Sequence, residues 1–207
     1  MSVPSKESLI NDLQGLGIRA GDTAYFKVDL SVVSPSPKTY SIFFEAALEL
    51  VGSEGTIVCP TFTRAGHPSL MDKSKPFDLT TPSHSGGWLA RMFLNHPDVV
   101  RSAHPVNSFA AIGKHAEYIC AEHDETRPGC WPTSRMMDLD AKQPIIGCVD
   151  SNPGFITVHW AQYLLGLASR MRRKGDYGVY YRKADEVKLF VADHRGGCSL
   201  GFSGFYP

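Results

Sequence analysis

Between Ser5 and Leu167, short apolar runs alternate with segments of helical period, and that alternation constrains the fold more than any other feature. Ser5 to Leu16 places Leu9, Ile10, Leu13 and Leu16 on one stripe behind a Ser5 cap, which predicts an amphipathic helix. Thr23 to Val28 predicts a strand, and Tyr40 to Val51 predicts a strongly apolar helix stopped by Gly52. Thr56 to Phe62 is a second strand; Pro60 confines it to an edge, an end or a bulge, because proline cannot donate to a ladder. Ser85 to Asn95 reads as a helix, Ser108 to Ile112 as a strand and Lys114 to Glu122 as a short helix. Asp124 to Asp140 reads as irregular, Pro144 to Val149 as a strand and Gly154 to Leu167 as a helix. Tyr177 to Tyr181 and Val187 to Val191 then predict a hairpin turning at Ala184-Asp185. The pattern implies an α/β protein, a three-layer sandwich with a central mixed sheet and a C-terminal β-hairpin. There is no internal repeat and no dividing linker, so residues 1–207 read as a single domain.

Formal net charge is zero, so composition favours neither a nucleic-acid partner nor a membrane surface. The five cysteines are odd in number and none sits at C-x-x-C spacing, which argues against a disulfide framework and a cysteine zinc site. The N-terminus lacks a basic region followed by an apolar core, and the longest apolar run is too short for a bilayer span. These readings predict a cytoplasmic protein.

Several chemistries lose their sequence support. No H-x-H or H-E-x-x-H spacing joins any of the eight histidines, no G-x-S-x-G elbow occurs, and phosphate-binding glycine motifs are missing. No metal is therefore expected. Two stretches keep their interest. Val100 to Gly113 (VRSAHPVNSFAAIG) sets Arg101, Ser102, His104 and Ser108 beside a buried strand, the usual composition of a site at a sheet end. On the helix near residue 160, His159, Gln162 and Gly166 share one narrow face, while almost every other position is apolar. Such a helix is expected to be buried, and its His and Gln either satisfy a structural network or line a cleft. The long polar loop Thr63 to His84 is of a length more often functional than idle. The cations Arg170, Arg172, Arg173 and Lys174 are either a solvated helix end or a phosphate-contacting patch.

Taken together, these segments resemble the aminoglycoside 3-N-acetyltransferase family, acetyl-CoA-dependent enzymes unrelated to the GNAT fold. GDTAYFKVDLSVVS is similar to the family's first strand and loop, and LVGSEGTIVCPTFT to its second strand entry and Pro-Thr-Phe-Thr end. FDLTTPSHSGGWLARMFLNHPDVVRSAHPVNSFAAIGKHAEYI resembles its central signature, with Arg-Ser-x-His-Pro followed by Ser and Ala-x-Gly. GFITVHWAQYLLGL resembles its histidine-bearing helix, and GGCSLGF a late Gly-Cys-Ser element. Lys27-Val28-Asp29-Leu30 stands where the family usually carries His-Ser-Ser-Leu, and Gln162 where it carries a glutamate. The chain stops soon after Cys198, where family chains usually continue, so a shortened C-terminus is expected.

The resemblance implies direct acetyl transfer from acetyl-CoA, as co-substrate, to an amine of an aminoglycoside-like antibiotic, conferring resistance. It implies His159 as general base, Gln162 as its orienting neighbour and His104 on the facing wall. Asp29, Leu30, Ser31, Arg101 and Ser108 are the implied CoA-side residues, with backbone N–H groups near Leu30-Ser31 or the Ser108 hydroxyl as oxyanion donors. The expected partners are a small-molecule amine and CoA, and a homodimer is admitted. Transfer to a non-aminoglycoside amine, or a binding protein that kept the fold but weakened its catalysis, remain as alternatives.

Overall fold

A computed structural model describes residues 3–32, 36–148, 155–167 and 173–195. Its central sheet has four strands in the order β1-β3-β5-β4. These are β1 (Thr23–Tyr25), β3 (Thr56–Pro60), β5 (Phe109–Gly113) and β4 (Val100–Arg101). β1 and β3 run parallel, whereas β5 is antiparallel to both β3 and β4, so the sheet is mixed as expected. The strand read as Thr23 to Val28 is split at Phe26. β2 (Lys27–Val28) leaves β3 and pairs instead, in parallel, with β6 (Ile145–Ile146). Buried Phe26 occupies the switch, its N–H still donating to the Val58 carbonyl at 2.8 Å. Pro60 is the last residue of β3, the position its missing N–H tolerates.

Alternation along the strands explains the layers. Ala24, Ile57, Cys59, Ala110 and Ile112 face one core; Tyr25, Val58, Phe109 and Ala111 face the other. The first core is covered by α1 (Lys6–Gly15), α2 (Pro37–Val51) and α3 (Gly87–Leu94). Ser5 caps α1 by accepting from the Ser8 N–H at 3.1 Å, and Ser36 caps α2 in front of Pro37 at its first turn. Edge-to-face contacts of Phe26 with Phe43 and of Phe44 with Phe93, both 5.3 Å between centroids, knit this core. Each such pair contributes about 1 kcal/mol beyond its burial.

The second core is covered by α4 (Ala116–Cys120), α5 (Pro132–Asp138) and the start of α6 (Ile156–Leu164). α5 lies inside the segment read as irregular, and Pro132 at its first turn was the available signal. The expected burial of α6 is corrected. None of its residues is fully buried, and Phe155, Val158, Leu164 and Leu165 are exposed. Its packing comes from one side, where Trp160 meets Trp131 edge-on at 5.9 Å.

The hairpin of β7 (Arg173–Lys183) and β8 (Glu186–Arg195) turns at Ala184-Asp185, with Ala184 at positive φ. The long loop after β3 docks on it. Gly66 and Gly178 exchange two backbone hydrogen bonds, and Phe77 bonds Tyr180 and Arg182. Phe77, Val106, Val179, Tyr181 and Phe190 form a third, smaller core there. Arg170, Arg172 and Cys198 lie outside the described residues; Arg173 and Lys174 open β7.

Candidate active site

Strand direction gathers the candidate residues at one end of the sheet. β2, β3, β4 and β6 all deliver their carboxyl ends there, and antiparallel β5 begins there. Asp29-Leu30-Ser31 follows β2, Thr61 follows β3, Arg101 ends β4, Ser108 precedes β5 and Cys148 follows β6. Ligand sites in sheets of this kind favour the crevice beyond the carboxyl ends of the strands.

α6 is fastened to the segment that leads into β6. The Ile156 N–H donates to Gln143 Oε1 at 3.3 Å, just ahead of β6. His159, half-buried, sets Nδ1 3.3 Å from Gln162 Oε1. A carbonyl oxygen only accepts, so Nδ1 carries the proton and Nε2 is the basic nitrogen. Burial pulls the His159 pKa below the ordinary histidine value; the Gln162 contact opposes this and the Lys27 ammonium adds to it. The neutral imidazole is the form that accepts a proton.

The turn after β2 is tied down internally. Asp29 accepts from the Ser31 N–H at 3.0 Å and from the Ser31 hydroxyl, which hold its carboxyl below the usual range. The Leu30 N–H donates to Tyr40 Oη at 2.9 Å. Both amides proposed as oxyanion donors therefore already have partners. Tyr40, at the start of α2, and Cys148, whose thiol responds to both Lys27 and Asp29, join the neighbourhood. Neither carried a sequence signal of its own.

Arg101 and Ser108 form a second group. Arg101 Nε donates to Ser108 Oγ at 3.2 Å, Nη2 to the Thr61 carbonyl at 2.8 Å, and Nη1 to the Leu79 and Thr81 carbonyls. Its guanidinium lies over the Phe77 ring at 5.0 Å, and burial lowers its pKa to about 10. The Ser108 hydroxyl donates to the Thr61 carbonyl at 2.8 Å. Arg101 thus bonds Ser108 and three backbone carbonyls, and the pair fastens the long loop to the end of β3.

His104 does not stand on a cleft wall. It is fully buried, and its Nδ1 accepts the Val106 and Asn107 N–H groups at 3.2 and 2.9 Å. Its ring stacks on that of His123 at 4.9 Å and meets the edge of Phe190 at 5.3 Å. Burial drives its pKa to about 3. A side chain with no exposed surface and two amides on one nitrogen holds the β4–β5 turn. His123, also buried, bonds Ser102 Oγ at 2.9 Å and was not singled out from the sequence. No group of three or more metal-ligating side chains occurs among the described residues.

A profile described as aminoglycoside 3-N-acetyltransferase matches residues 26–195, most of the chain. The chain belongs to the aminoglycoside 3-N-acetyltransferase family. Aminoglycoside N(3)-acetyltransferase III of Serratia marcescens is 32% identical over 130 residues, 56% of this chain and 48% of the relative. Among solved structures, aminoglycoside acetyltransferase AAC(3)-IIb is 26% identical with a TM-score of 0.73, covering 95% of this chain and 77% of that one. AAC-IIIb, solved as a binary complex with CoASH, superposes with a TM-score of 0.70 at 20% identity, covering 99% of this chain and 81% of that one. The chain thus spans about half the length of the first curated relative it matches. The α/β fold with its central mixed sheet and C-terminal hairpin is that of the family.

Proposed function

We propose that this aminoglycoside 3-N-acetyltransferase family member transfers an acetyl group from acetyl-CoA directly to an amine of an aminoglycoside-like antibiotic. The observation that carries the reading is the His159–Gln162 pair on α6, with Nδ1 turned to the amide oxygen. An ammonium is no nucleophile, so Nε2 of His159 takes a proton as the amine attacks the thioester carbonyl. The C–N bond forms, the C–S bond breaks, and the CoA thiolate leaves with the proton returned from the imidazolium. The Asp29–Ser31 turn borders the same sheet end and supports the CoA side of the site. Arg101 and Ser108 act from behind, holding the long loop in place. The CoASH complex of a structural neighbour agrees with acetyl-CoA as co-substrate.

One observation favours a second acceptor class. Gln162 is neutral, so the base's partner adds no negative charge for a polycation. An amine less cationic than an aminoglycoside suits that environment.

Release of the CoA thiol, followed with acetyl-CoA and a panel of amines for wild type and His159→Ala, tests both. Turnover of kanamycin- or gentamicin-type substrates that His159→Ala abolishes supports the first reading. Turnover of other amines alone supports the second. Full activity in His159→Ala removes His159 as the base, and absence of CoA binding by calorimetry removes the enzyme class.

A further inference from the structure

Contacts at two points seat α6 on its neighbours. Ile156 and Trp160 are four residues apart, which places them one above the other on the helix. Ile156 is half-buried against the second core, and its N–H reaches Gln143 Oε1 at 3.3 Å. Trp160 meets the Trp131 ring edge-on, with centroids 5.9 Å apart and planes at 80°, and stacks on Tyr163 at 5.3 Å. The first contact pins the start of the helix, and the second sets its rotation. Trp131 is itself held. Arg127 lies over its ring at 4.3 Å and Arg135 at 5.6 Å, and both guanidinium groups bond Glu122 Oε2, at 3.1 and 3.4 Å. Glu122 lies just beyond α4, whose Ala116, Ile119 and Cys120 pack with Phe109 and Ala111 of β5 in the second core. The two arginines therefore reference the Trp131 ring to the central sheet. The indole N–H of Trp131 is buried and has no hydrogen-bond partner among the described residues. An indole that leaves its one donor unmatched serves through its ring.

We propose that Trp131 is a positioning residue for the transfer reaction: through Trp160 it fixes the rotation of α6 and with it the place of the His159 ring. This rests on the reading of His159 as the base. His159 directly precedes Trp160, so its side chain leaves the helix about 100° around the axis from the indole. A helix that turns when one ring loses its seat carries the other ring with it. None of the α6 residues is fully buried, so the helix is held by partial contacts and the removal of a paired indole is felt. The reacting geometry tolerates little error: a displacement of about 1 Å costs on the order of 100-fold in rate. Trp131 acts on the reaction from outside it, through the helix that carries the base.

The experiment is a double-mutant cycle in kcat, with acetyl-CoA and an accepted amine, over wild type, Trp131→Ala, His159→Ala and the two combined. Trp131→Ala is expected to lower kcat by on the order of tenfold, while the Kd for CoA by calorimetry stays unchanged. In the His159→Ala background the same substitution is expected to cost nothing further, because the group it positions is gone. Trp131→Phe keeps a ring against Trp160 and is expected to recover most of the rate. Equal losses in both backgrounds, or a folded Trp131→Ala at the wild-type kcat, overturn the proposal. If Trp131→Ala does not fold, Trp160→Ala, at a half-buried position, opens the same contact and is read by the same cycle. Amide hydrogen exchange reads the seat of the helix without turnover. Residues 157–164 are expected to exchange faster in Trp131→Ala while residues 109–113 of β5 keep their protection, and unchanged exchange in α6 overturns the proposal as well. Should no amine be turned over, or His159→Ala keep the wild-type rate, the catalytic reading fails, and exchange alone decides whether Trp131 seats the helix.

Discussion

His159 Nδ1 and Gln162 Oε1 stand 3.3 Å apart, less than one helical turn along α6. The contact sets the tautomer, and it holds the ring with an amide rather than a carboxylate. Gln162→Glu puts a negative charge against the Nδ1–H and stabilises the imidazolium. The acidic limb of kcat/KM is expected to move to higher pH. Gln162→Ala loosens the ring and lowers kcat, while His159→Ala removes the base and costs about 100-fold or more in kcat. CoA affinity by calorimetry stays unchanged in all three. A pH profile of Gln162→Glu that overlays wild type separates the two residues functionally and counts against the pairing.

The buried imidazoles of His104 and His123 predict acid sensitivity. In the unfolded chain each takes up a proton below a pH of about 6.5. In the folded protein burial keeps His104 neutral down to about 3, and burial and its neighbour His104 push His123 well below the ordinary histidine value. The unfolded state therefore binds more protons across that window. The stability contribution is complete above the unfolded value and is lost as pH falls toward the folded one. The loss amounts to about 1.4 kcal/mol per pH unit for each histidine. Urea midpoints measured across this window should fall steeply with acid. His123→Phe, which keeps a ring against His104 but removes one titrating group, should reduce the slope by about half.

Arg101 predicts a local effect with a global cost. Its guanidinium serves the Thr61, Leu79 and Thr81 carbonyls and the Ser108 hydroxyl, and covers the Phe77 ring. Arg101→Leu leaves those buried acceptors without a donor and is expected to cost about 3 kcal/mol. Limited proteolysis should cut first within the 63–84 loop, because this side chain supplies part of the loop's attachment to the end of β3. Arg101→Lys supplies one point charge where a planar fork served several acceptors, so it should recover only part of the loss. Cleavage at the same rate in Arg101→Leu and wild type sinks the clamp.

The alternation of strand and helix was legible because it follows from side-chain burial. Ile57 and Cys59 on one face and Val58 on the other are what a doubly covered strand requires. The split at Phe26 was not legible. TAYFKV has the pattern of one strand, and the arrival of β6, whose Ile145 pairs with Lys27, makes β2 change partners. α6 misled for a related reason: apolarity all round specifies what a helix prefers to bury, not how much neighbouring chain reaches it. At the site, His159 and Gln162 share a face by helical period, so their pairing could be read. The stacking of His104 on His123 joins residues of two separate segments and has no periodic signature. Lys27 was visible as a departure from the family pattern.

Gly113 offers a test that separates strain from steric overlap. β5 begins at the site and ends at Gly113, so this glycine lies at the opposite end of the sheet. Its φ is 122°, and a Cβ there would come within 2.2 Å of the Gly55 carbonyl oxygen and 2.9 Å of Thr56 Cα. That carbonyl already accepts the Lys114 N–H at 3.0 Å, so neither strand can yield without losing the ladder. Gly113→Ala is expected to destabilise by about 3 kcal/mol or more, combining strained backbone with displaced pairing. Gly21 also has a positive φ, 83°, but a Cβ there meets nothing within 4 Å. Gly21→Ala therefore carries the conformational cost alone, about 1 kcal/mol. Thermal or urea unfolding of the two variants should differ by that margin, while kcat, measured at a temperature where both are folded, stays at the wild-type value because neither position borders the site. Equal destabilisation in the two would mean that the β3–β5 pairing gives way freely at Gly55.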